Sequence, residues 1–93
     1  MSTRSERRAA RETVGAYHEE QLGELVRHLR SAVERFDAGE LDAFDVDEVV
    51  FQYSRAAKEL WKFCNLGNVE LTARIIRDDQ AGDWWDRGTR RRR

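Results

Sequence analysis

The segment Asp45–Cys64 limits what this chain can become more than any other. Its apolar residues Val46, Val49, Val50, Tyr53, Ala57, Leu60, Trp61 and Cys64 recur every three or four positions, the spacing that places side chains on one face of an α-helix. A long amphipathic helix with an aromatic face follows, and with it an all-α fold built to bury that face. The absence of proline among the 93 residues agrees with helices.

A second helix is predicted from near Glu12 to Asp37. Leu22, Leu25, Val26, Leu29, Val33 and Phe36 fall within an arc of about 100° at 100° per residue, a bundle-type stripe. Gly15 and Gly23 weaken it by about 1 kcal/mol each relative to alanine, so packing has to hold it. Asp37-Ala38-Gly39-Glu40 reads as its end, with Gly39 free to take the left-handed conformation that closes a helix. In the connection that follows, Leu41 and Phe44 are apolar enough to be expected under the bundle as a plug. Asp45 is expected to cap the next helix, with Glu48 completing a capping box.

Asn65-Leu66-Gly67-Asn68 supplies a stop and a new N-cap at Asn68. Val69-Glu70-Leu71-Thr72-Ala73-Arg74-Ile75 alternates like a strand, yet a lone strand has no partner in a helical chain. A short helix to about Asp79 is therefore expected. Trp84 and Trp85, in a polar terminus, are expected to dock, either as a lid over the bundle or as a recognition motif.

These elements define a helical hairpin or three-helix domain over residues 12–86, flanked by disordered basic segments at 1–11 and 87–93. A hairpin leaves one side of each stripe open, so the expected assembly is a homodimer with a four-helix-like core. Small size points the same way, because a chain this short buries a modest fraction of its surface alone.

Charge is distributed unevenly around a net value of −1. Residues 1–11 hold four arginines against one glutamate, and residues 87–93 hold five arginines, so the acidic body between them carries −9. Basic arms of this kind suit nucleic acid, anionic lipid or an acidic protein surface. They equally suit solvated ends of the chain. Arg55, Lys58 and Lys62 with Phe51 form the one basic and aromatic patch on a helix, and Arg90, Arg91 and Arg92 could join it in gripping phosphates.

The chemistry-bearing residues are few. Glu20, Glu24 and His28 stand four apart, but this row lies opposite the apolar stripe and lacks the Glu-x-x-His spacing of carboxylate-bridged metal bundles. Cys64, the only cysteine, ends an apolar stripe and reads as a small packed hydrophobe, and no intrachain disulfide can form. No phosphate loop, nucleophile constellation or cofactor fingerprint is present, and no apolar run is long enough for a signal peptide or membrane span. A cytoplasmic setting is the expectation.

The leading functional reading is a non-enzymatic protein–protein interaction or regulatory module without a cofactor, with Phe51, Phe63, Trp84 and Trp85 as partner-binding residues. Phe51 projects from a charged face and Phe63 lies off the stripe on the other flank, which makes each a candidate for a second surface that meets another chain or the helix expected over 69–79. Nucleic-acid association through the arms is the alternative. A metal-binding or enzymatic role for Glu20, Glu24 and His28 comes third.

Overall fold

A computed structural model describes residues 3–78 and 81–89 of the chain. Four helices follow in order: α1 (Arg4–Asp37), α2 (Ala43–Asn65), α3 (Val69–Arg77) and α4 (Trp84–Arg87). Among the described residues every regular element is helical. No helix there is long and apolar enough to cross a membrane.

α1 starts eight residues before the position expected from apolar periodicity. The Thr3 hydroxyl accepts from the Glu6 N–H at 3.1 Å, satisfying one of the donors that a helix start leaves open. Residues 4–11, expected as a disordered arm, are thus helical, and Ala10 and Val14 are buried against Ala73 of α3. Small residues carried the signal there, and a search for large apolar side chains passes over them. Gly39 closes α1 at φ 78°. The Glu40 N–H donates to the Arg35 carbonyl at 2.9 Å and the Gly39 N–H to Phe36 at 3.0 Å, the wrap that uses up a helix's last carbonyls.

α2 also starts earlier, and the capping box is formed by Asp42 and Asp45 rather than Asp45 and Glu48. The Asp45 N–H donates to Asp42 Oδ1 at 2.8 Å and the Asp42 N–H to Asp45 Oδ2 at 3.0 Å. Aspartate is short enough to serve in both roles of the box, so the first acid of the pair wins the cap. The early start places Phe44 on the first turn, where it is 83% exposed. It plugs nothing, while Leu41 is half-buried.

Asn68 caps α3 as expected, accepting from the N–H groups of Glu70 and Leu71 at 2.9 and 3.1 Å. Val69, Thr72, Ala73 and Ile76 turn inward and Leu71 outward, which is helical rather than alternating placement. The expected end near Asp79 lies outside the described residues; the observed last helical residue is Arg77.

α1 and α2 run antiparallel. Tyr17 meets Phe63, and Leu25 packs on Ala56 and Leu60, so positions early on α1 face positions late on α2. α3 then continues along the N-terminal third of α1, and α4 returns to lie across the hairpin. The resulting body measures 56 × 30 × 18 Å with a radius of gyration of 16.1 Å. A compact chain of this length has a radius near 12 Å. The molecule is a thin slab, and 18 Å leaves little room for two full layers of helices each about 10 Å across.

Candidate interaction surface

The helix α4 fixes which side of the slab is closed. Trp84 is 2% exposed and its indole N–H donates to the Tyr17 hydroxyl at 2.7 Å. Phe63 lies against the same indole, ring centroids 5.1 Å apart, and Arg87 covers it at 4.4 Å. Trp85 is half-buried and stacks flat on His28 at 4.0 Å. From α2, the Gln52 amide donates to the Trp85 carbonyl at 3.0 Å and the Thr89 hydroxyl at 3.2 Å, and the Arg55 Nε donates to the Gly88 carbonyl at 2.6 Å. These side chains satisfy carbonyls that a four-residue helix cannot satisfy itself.

The expected partner residues therefore separate. Trp84 is consumed inside the fold and half-buried Phe63 packs against it, because a tryptophan here gains more by filling the gap between α1 and α2 than by facing water. Trp85 is half-covered by His28. Phe51 stays 54% exposed on the outer edge of α2. The basic patch is broken up as well: Arg55 is bound to α4, Lys62 pairs with Glu59 at 3.0 Å, and Lys58 is exposed. Arg90, Arg91 and Arg92 lie outside the described residues.

Glu20, Glu24 and His28 do not form a ligand set either. Glu24 pairs with Arg27, and the His28 ring lies against Trp85. Among the described residues no three His, Cys, Asp or Glu side chains converge at metal-ligand distances.

Cys64 packs between the two core clusters, and burial pushes its thiol up from 9.0 to about 11. The thiolate is the reactive form, so about 100-fold less of it exists near neutral pH than in an unfolded chain. Modification by a disulfide reagent at pH 7.5 is expected to slow by that factor in the folded protein and to become fast in denaturant; equal rates would contradict the packing. Because the folded-state value lies above the unfolded one, the stabilisation this thiol brings is complete below pH 9 and is lost as pH rises toward 11.

The side of the slab opposite α4 is open. Val26, Val33 and Phe36 of α1 and Val50 and Trp61 of α2 are between 45% and 51% exposed. At 100° per residue they lie on one flank of each helix, whereas Tyr17, His28, Gln52 and Phe63, the residues that meet α4, lie on the other. The helices are antiparallel and α4 touches the same-handed flank of both, so the two remaining flanks also share a side. Half-buried Leu22 and Leu29 and Val46 and Ala57 fill the surface between them. In each helix the apolar arc is rotated from the buried arc by about 60–80° in the same sense, measured at 100° per residue. The result is a continuous apolar strip across both helices.

At the N-terminal end of α1 the surface is basic. Arg4, Arg8 and Arg11 line one surface depression with Ser5, and none of the three makes an ion pair among the described residues. At the other end, residues 34–48 carry seven acids and one arginine, a net charge of −6.

The fold and this face define a class: an all-helical slab whose core is closed on one side and whose apolar strip is open on the other. Compared with protein-family models, curated proteins and solved structures, the chain matches none.

Proposed function

We propose that this protein is a non-enzymatic helical interaction module that works through the open face of the α1/α2 hairpin, pairing as a homodimer with a four-helix-like core. One observation carries the reading: the apolar arcs of α1 and α2 are both rotated away from the intrachain core toward the same uncovered side. Scattered surface hydrophobes are ordinary, but a strip that spans two helices is the mark of an interface. Phe51 and Phe44, exposed on the outer edge of α2, remain accessible in such an assembly and are the candidates for a further protein partner.

A second reading, nucleic-acid association through basic arms, draws among the described residues on Arg4, Arg8 and Arg11. Three phosphate contacts release few counterions and give weak binding at physiological salt. The interface reading uses more of the molecule.

The test substitutes the open face with charge. Val33→Glu combined with Trp61→Glu changes two half-exposed side chains that belong to neither buried cluster, so far-UV circular dichroism is expected to keep its helical signal. Light scattering is expected to report a dimer for the natural chain and a monomer for the double variant. A natural chain that is monomeric at about 100 μM, or a double variant that still associates, would contradict the reading.

A further inference from the structure

Resting on the homodimer just proposed, we infer that the two copies stack head to tail, with each copy's arginine-bearing first turns of α1 running past the other's acidic α1–α2 connection. Two slabs laid open face to open face admit two twofold arrangements. A twofold along the helices sets like ends together and places α1 of one copy over α2 of the other. A twofold perpendicular to the helices, in the plane of the interface, sets opposite ends together and places α1 over α1.

Charge separates the two. Like ends together would bring two copies of residues 34–48, each of net charge −6, within about 10 Å, a helix-packing distance, and like charges opposed across an interface are unfavourable. Opposite ends together set each connection against residues 16–22 of the other copy's α1 and residues 58–65 of its α2, where acids and bases nearly balance. Beyond that region Arg11, Arg8 and Arg4 continue the same flank of α1.

The shape of the strip agrees. Its bulky side chains stand at opposite ends, Trp61 beside Leu22 at one and Phe36 beside Val46 at the other, with Ala57, Leu29 and Val50 between them. Inverting the second copy seats Trp61 over the partner's Val46 end and Leu29 near the axis. The strip runs about 16 residues along α1, or about 24 Å at 1.5 Å per residue, and about 20 Å across two packed helices. Each copy then buries on the order of 500 Å², and the pair about 1,000 Å², the area at which specific interfaces begin. A single added helix would fill the groove between α1 and α2 and leave both outer margins of the strip wet.

The experiment uses the full chain in a Cys64→Ser background with Leu29→Cys as the only thiol, oxidised and run on a non-reducing gel beside light scattering of the reduced protein. Near the proposed axis, Leu29→Cys is expected to give a disulfide-linked dimer, while Phe36→Cys, about 24 Å from its copy, gives none. The reduced dimer is expected to weaken severalfold between about 0.05 and 0.5 M NaCl as screening grows. A dimer by scattering that yields no Leu29→Cys disulfide, or that tightens with salt, overturns the head-to-tail arrangement and leaves the interaction reading standing. A monomer under every condition overturns both.

Discussion

Trp84→Ala is expected to lower stability by about 3–5 kcal/mol, the range for truncating a buried tryptophan. The indole is the deepest aromatic in the fold and touches both long helices at once. It fills the gap between α1 and α2 against Leu25, Ala56 and Leu60, donates to Tyr17, and anchors the chain that closes the back of the slab. A domain of this length has about 5–14 kcal/mol in total, so the variant sits near the edge of folding. Its melting temperature is expected to fall by at least about 12 °C at matched protein concentration. Trp84→Phe separates the contributions, because it keeps most of the apolar volume and removes the bond to Tyr17. A loss of less than about 1 kcal/mol for the alanine variant would show that α4 does not dock as described.

Gly88→Ala comes second, with an expected loss of about 2–3 kcal/mol, the upper part of the range for overpacking. Gly88 is buried at the end of α4 with an ordinary φ of −79°, so conformation is not the constraint. Space is. A β-carbon there would lie 2.5 Å from the Gln52 carbonyl oxygen and 2.7 Å from the Ala56 β-carbon. Both belong to the body of α2, and neither can swing away as a flexible side chain could. The only relief is for α4 to lift, which stretches the Arg55 bond to the Gly88 carbonyl and draws Trp85 off His28. Gly67→Ala is the control. Its β-carbon would meet only the Thr72 hydroxyl at 3.5 Å, and a change within about 0.5 kcal/mol is expected. Equal effects at the two glycines, read by thermal or denaturant melts, would remove the steric argument.

Much of the local structure was legible in residue order. Gly39 ends α1, Asn68 starts α3, and the periodicity of α2 names its helix correctly, because each depends on chemistry within a few residues. The alternation in Val69–Ile75 was a weaker guide than the Asn68 cap that precedes it. The starts of α1 and α2 lie eight and three residues before the expected positions, since Thr3 and Asp42 compete with other plausible caps and only the packing of Ala10 and Val14 on α3 makes the longer α1 worthwhile. Phe63 reads as a partner-binding residue, and Trp84 as either a lid over the bundle or a partner-binding residue, because nothing in their sequence neighbourhood shows the gap that they fill. The same blindness hid Ala56, Gly88, Gln52 and Arg55, whose roles come from a contact between segments more than thirty residues apart.

The sequence by itself determined that this protein is helical, where most of its helices break, and that its apolar stripes exceed what a single hairpin can bury. Those properties follow from backbone propensity, capping and periodicity, all of which act over a turn or two. Only the tertiary structure decided which flank of each stripe would be closed. Docking α4 on one side of the hairpin, through an indole, a glycine and two side chains of α2, leaves the opposite flanks of α1 and α2 uncovered together. Burial is settled by which distant surfaces meet, and a one-dimensional pattern carries no record of that choice.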